Sequence, residues 1–148
     1  MAEDKIEVMR RAVAAASGRD AGSTQVIDAH DPAAREAFFE FLDPEIEVHE
    51  DQKFPEAGVY RGIDAVRGYL EQFTEQFEEF RMEVEDLVDA GGDDVLFLYR
   101  LRGRGKGSGA PVDEKPGWLY TIRGGKAVRI RLYLDRAEAF EAAGLPPA

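Results

Sequence analysis

Apolar side chains recur at helical spacing in the first half of the chain and at strand spacing in the second. Ile6, Met9, Val13 and Ala16 predict a first helix, opened by the capping pair Asp4 and Glu7 and closed at Ser17-Gly18. Residues 19–30 are small and polar and read as a loop. Asp31-Pro32 then supplies an N-cap and an N1 proline for a second helix with Ala34, Phe38, Phe41 and Leu42 as its stripe, stopped at Asp43-Pro44. Ile46 and Val48 alternate with Glu47 and His49 and predict a short strand. Ile63, Val66, Leu70, Phe73 and Phe77 mark a third helix. From Phe80 the period falls to two, and the Leu87-Val88 pair breaks the parity as a bulge or strand end does. Strands over 95–104, 118–123 and 126–134 follow, the last two joined at Gly124-Gly125, and Asp135 with Glu138 opens a final short helix. Helices first and an antiparallel meander afterwards predict an α+β domain, with helices against a curved, mostly antiparallel sheet.

Strand parity carries the site prediction. Val128, Ile130, Leu132 and Leu134 share one face, read as buried, and Val48 belongs to the apolar parity that runs on into Glu50. The strand over 95–104 is apolar on both faces at its start. Its even face, Leu96, Leu98, Arg100 and Arg102, is assigned inward. Its odd face, Val95, Phe97, Tyr99 and Leu101, is assigned to the outside and, by its apolarity, to a homodimer interface. Glu50, Arg100 and Arg102 then stand where apolar side chains are expected, and buried charges out of pattern point to function. Trp118 and Tyr120 share a parity and are candidates to flank a ligand. His49 with Glu47 and Asp51 reads as a solvated face rather than a metal site, and the stretch GRGKGSG lacks the pattern of a phosphate loop.

Composition narrows the classes. With no cysteine among 148 residues, thiol catalysis, disulfides and thiolate metal sites are excluded. A net charge of −11 argues against nucleic acid and anionic membranes as partners. The charge is uneven: residues 1–99 carry −16 and residues 100–131 carry +7. The basic segment is expected against the acidic half, a second subunit or an anionic ligand. No secretory or membrane-spanning pattern is visible, so a cytoplasmic location is expected.

The segments FLDPEIEVHED (41–51), GVYRGIDAVRGYLEQF (58–73), RLRGRGKGSG (100–109) and TIRGGKAVRIRLYLDRAEAFEAAGL (121–145) resemble the SnoaL-like polyketide cyclases of the nuclear transport factor 2-like superfamily. The resemblance covers roughly residues 3–145, in a chain read as one domain over 1–148. It implies a cone of helices wrapped by a bent sheet around an apolar cavity, and a dimer through the outer sheet face. Residues 21–30 make a longer loop than the family usually shows. Position by position, Glu50 matches the general-base aspartate of ketosteroid isomerases, whereas Trp118 stands where their oxyanion-hole aspartate falls. Arg100, Arg102 and Leu132 match the Arg and the two Asp of limonene epoxide hydrolases. Only the Arg is kept, so epoxide hydrolysis is not expected. Asp135 is the only carboxylate near the late acid/base of the cyclases, and it also caps a helix.

Two functions remain open. One is an acid/base enzyme on a small hydrophobic carbonyl compound, with Glu50 as base, Trp118, Tyr120, Leu132 and Val48 around the substrate, Arg100 and Arg102 on its oxygen, and no cofactor or metal. The other is a non-catalytic binding dimer with a structural Arg–Glu network.

Overall fold

The computed structural model describes residues 4–19 and 24–146. Its helices are α1 (Lys5–Ser17), α2 (Pro32–Phe41), α3 (Ile63–Glu75) and α4 (Arg136–Ala142). Its strands are β1 (Val26–Asp28), β2 (Leu42–His49), β3 (Val59–Arg61), β4 (Phe77–Asp89), β5 (Asp94–Gly105), β6 (Pro111–Glu114), β7 (Gly117–Arg123) and β8 (Lys126–Tyr133). They form one sheet in the order β1-β4-β5-β7-β8-β2-β3, with β6 on β5 beside that path. Among the described residues only the β2–β8 pairing is parallel. This is the α+β curled sheet that the periodicity predicts.

The helix ends follow the capping chemistry. Asp4, Asp31 and Asp135 each accept a hydrogen bond from the backbone N–H two residues on, and Gly18 closes α1 at φ 69°. The α2 stripe runs straight into β2 at Leu42, so Asp43-Pro44 lies inside the irregular start of a strand rather than after a helix. Residues 26–28 of the expected 19–30 loop form β1, paired with β4, and residues 20–23 lie outside the described residues. The parity break of β4 falls at Glu85, two residues before the expected place. It turns Leu87 toward the main core and Val88 to the opposite side. Strand β6 has no counterpart among the expected elements, because four residues with one apolar side chain carry no periodicity.

The sheet has two different faces. On its concave side α1, α2 and α3 pack Val8, Met9, Phe39 and Val66 against Ile46, Val48, Phe80, Phe97, Tyr120 and Ile130. On its convex side α4 seats Ala139 and Phe140 on Leu96, Leu98 and Leu119. Both halves of the apolar start of β5 are thus buried within one chain. Val95, Phe97, Tyr99 and Leu101 face the helices and are 6% exposed or less, so they are not the outer, dimer-forming face expected from the sequence. Leu96, Leu98, Arg100 and Arg102 take the outside, with α4 over the two leucines.

The corrected parity also explains the charge asymmetry. Arg100 grips Asp113 with two hydrogen bonds of 2.7 and 2.6 Å. Arg102 pairs with Glu83 at 3.4 Å, Arg104 with Glu79 at 2.8 Å and Lys115 with Glu85 at 3.6 Å, all three acids on β4. The basic segment therefore faces the acidic β4 across the outer sheet surface. Arg100 holds the Asp113 carboxyl below its ordinary value.

The close seat of α4 rests on Gly117. A Cβ there would lie 2.7 Å from the Ala139 Cβ and 3.3 Å from Leu98 Cδ2. Gly117→Val is expected to push α4 outward at a cost of about 1–3 kcal/mol. Chemical denaturation and binding of a dye that reports exposed apolar surface check this. An unchanged midpoint with no added dye binding would contradict the seating.

Candidate functional site

Between the helices and the concave face lies a cavity of about 140 Å³. Apolar cavities of roughly 150 Å³ stay dry and take one benzene ring, which sets the scale of an occupant. One wall is built by β5 and β7. Register pairs Phe97 with Trp118 and Val95 with Tyr120, so the odd face of β5 and the even face of β7 point the same way. Phe97 lies 5.3 Å from Tyr99, 6.0 Å from Trp118 and 6.0 Å from Tyr120, ring centre to ring centre. Leu132 of β8, opposite Trp118, continues this wall. Phe38, Phe41, Phe73, Phe80 and Met82 supply much of the rest.

Of the expected site residues, Trp118, Tyr120 and Leu132 stand on the cavity wall. Val48 is 1% exposed and sits in the core but not on that wall. Arg100 and Arg102 point away from it, into the ion pairs of the outer surface. The cause is the odd–even choice on β5: both faces began apolar, and pairing with β7 rather than composition decides between them.

Glu50 follows the last residue of β2 and turns inward without reaching the wall itself. Its Oε1 accepts hydrogen bonds from the Gly58 backbone N–H at 3.1 Å and the Tyr60 hydroxyl at 3.2 Å. Its Oε2 accepts one from the Tyr69 hydroxyl at 3.3 Å. Tyr60 and Tyr69 stack at 4.3 Å. Tyr69 lines the cavity, so it stands between the carboxylate and the space where a ligand fits. Gly58 is small enough for this clasp: a Cβ there would meet Glu50 Oε1 at 3.3 Å.

Sequence reasoning missed Tyr60, Tyr69 and Asp51. Tyr69 does carry a signal, three residues after Val66 and four before Phe73, on the face that α3 buries. Asp51 is 4% exposed and lines the cavity. Its carboxylate accepts from the Lys53 N–H at 3.0 Å and from the Leu134 N–H at 2.9 Å, tying the loop after β2 to the end of β8. Strand alternation placed it beside Glu47 and His49. That alternation ends at His49, where the strand ends. His49 stays on the outer surface, 3.0 Å from Glu47 Oε1. Asp135 is the N-cap of α4 and accepts from Ala137 N–H at 2.9 Å.

Burial raises the Tyr69 hydroxyl above its ordinary value, helped by the Glu50 charge, and burial likewise raises those of Tyr99 and Tyr120. The folded state therefore holds these protons more tightly than the unfolded chain. That contribution is whole below about pH 10, the unfolded value, and is lost as pH rises above it. In an alkaline titration, tyrosinate absorbance from these three side chains is expected only together with cooperative unfolding. Simple titration near pH 10 of all five tyrosines, with the fold intact, would contradict the burial.

A bent sheet closed over three helices around a buried cavity defines the nuclear transport factor 2-like cone. The SnoaL-like domain family matches residues 22–130, and the chain belongs to that family. An NTF2-like protein from Burkholderia thailandensis superposes with a TM-score of 0.68 at 24% identity, covering 97% of this chain and 99% of that one. A putative SnoaL-like polyketide cyclase from Jannaschia superposes at 0.66 with 21% identity, covering 97% and 93%. TerC co-crystallised with polyporic acid superposes at 0.65 with 17% identity, covering 95% and 98%. No curated protein matches the chain. Among the described residues no helix is long and apolar enough to cross a membrane.

Proposed function

We propose that this chain is a small-molecule enzyme of the SnoaL-like type that takes a hydrophobic carbonyl compound into the cone and moves a proton on it. The observation that carries the reading is the Glu50–Tyr69 pair, a carboxylate joined by one hydrogen bond to a phenol on the cavity wall. A general base must reach its proton directly or through one relay. Here Tyr69 is the relay. Its oxygen takes a proton from the carbon beside the substrate carbonyl while its own proton passes to Glu50 Oε2, leaving an enolate. The phenol stays neutral before and after the step, in keeping with its raised pKa. Arg100 and Arg102 have no part in this scheme. That TerC was co-crystallised with polyporic acid supports a cavity of this fold as a place for a small molecule.

A second reading, a non-catalytic binding protein, is favoured by one feature. Glu50 already holds three donors of its own chain, as a structural clasp would. One experiment separates the two. Small ketones, acetophenone and cyclohexanone among them, are incubated with the protein in heavy water, and loss of the α-proton signal is followed by NMR. Exchange faster than in buffer supports the enzyme. A ketone that binds yet exchanges at the buffer rate supports the binding protein.

A further inference from the structure

We propose that Tyr120 is the residue by which the cavity recognises its ligand, donating a hydrogen bond to the oxygen of a neutral, single-ring aryl ketone or aldehyde. The inference rests on the cavity being a small-molecule site, and it adds the class of molecule and the selecting side chain. Tyr120 lies in the middle of β7, opposite Val95 on one side and Ile130 on the other, both buried. It is 4% exposed and lines the cavity. Its hydroxyl makes no hydrogen bond among the described residues. A hydroxyl on the cavity wall that makes no bond within the chain is free to donate to an acceptor delivered into the cavity. Because burial keeps the phenol protonated, what it offers is a donor.

The shape of the ligand follows from the neighbours. Phe97 stacks on Tyr120 with 18° between the rings, and Phe41 approaches it at 6.3 Å. A flat ring fits such walls, and about 140 Å³ holds one ring. The charge of the ligand follows from what lines the space. Among the described lining residues the ionisable side chains besides tyrosine are Asp28, Asp51, Glu114 and Arg35. Arg35, the one cation, is paired with Glu71 at 3.4 Å. A carboxylate ligand would therefore be buried without a free cation beside acidic neighbours, a costly arrangement. A neutral carbonyl carries no such penalty and accepts the Tyr120 proton.

Isothermal titration of the full chain with acetophenone, ethylbenzene and benzoate tests this, on wild type and on Tyr120→Phe. Acetophenone is expected to bind the wild type roughly 3- to 10-fold more tightly than ethylbenzene, the gain from one neutral hydrogen bond. Benzoate is expected to bind more weakly than either. In Tyr120→Phe the preference for the ketone should vanish while ethylbenzene binding persists, which also shows the cavity intact. Equal binding of ketone and hydrocarbon by the wild type, or a preference that survives in Tyr120→Phe, overturns the assignment of Tyr120 alone. Tightest binding of benzoate overturns the neutral class. Binding of none of the three overturns this inference together with the cavity reading on which it rests.

Discussion

Glu50→Gln is expected to slow protein-catalysed exchange of a bound ketone's α-proton by roughly 10²- to 10⁴-fold, and Tyr69→Phe by a similar factor. The two losses should not add, because one base and one relay act as a unit. Glutamine keeps the shape of Glu50 and an acceptor oxygen for Gly58 N–H or the Tyr60 hydroxyl, but it has no basic carboxylate. Phenylalanine keeps the ring that stacks on Tyr60 at 4.3 Å and removes only the hydroxyl that bridges Glu50 to the cavity. Stability should fall by about 1.5–3 kcal/mol in either variant, since hydrogen bonds to a charged group are lost. Ketone affinity should change far less than exchange, and this contrast separates a catalytic pair from a mere clasp. Exchange at the wild-type rate in both variants, with the same loss of stability, would make Glu50 structural.

Phe97→Ala is expected to carry the largest cost to the fold, about 3–5 kcal/mol. The ring is 2% exposed and touches Tyr99, Trp118 and Tyr120 at once. It belongs to β5, which pairs with β4, β6 and β7, so the surroundings have little freedom to collapse into the space left. For a chain of 148 residues that loss lowers Tm by roughly 10 °C. The wall beside Tyr120 also opens, and two-ring ketones should gain affinity relative to one-ring ketones. Thermal melting and a paired titration check the two effects. A melting temperature within a degree or two of wild type would contradict the central place given to Phe97.

The elements were largely legible in the sequence because capping residues and periodicity act locally. Asp31-Pro32 opens α2 and Asp135 opens α4 as their chemistry dictates. Partner-dependent features were not legible. β1 and β6 are short strands with no period of their own, held by pairing to β4 and β5. The facing of β5 was hidden because α4, distant in sequence, buries Leu96 and Leu98 as fully as the helices bury Val95 and Phe97. Trp118 and Tyr120 share a parity in the sequence and both line the cavity. Their register opposite Phe97 and Val95 is the fact that turns Arg100 and Arg102 outward. Glu50 was legible as a charge out of pattern at a strand end, but its direction was not, because the alternation stops where the strand does. Its two tyrosine partners were not, since Tyr60 arrives from β3 and Tyr69 from α3, ten and nineteen residues on.

The inner faces of β5 and β7 line the cavity, and the single tryptophan, Trp118, stands on that wall. Its emission spectrum, recorded alone and during titration with small hydrophobic ketones and lactones, tests this most directly. A blue-shifted emission that changes saturably with at least one of them is the predicted result. A red, solvent-like emission that none of them moves would contradict the cavity and every role assigned to its wall.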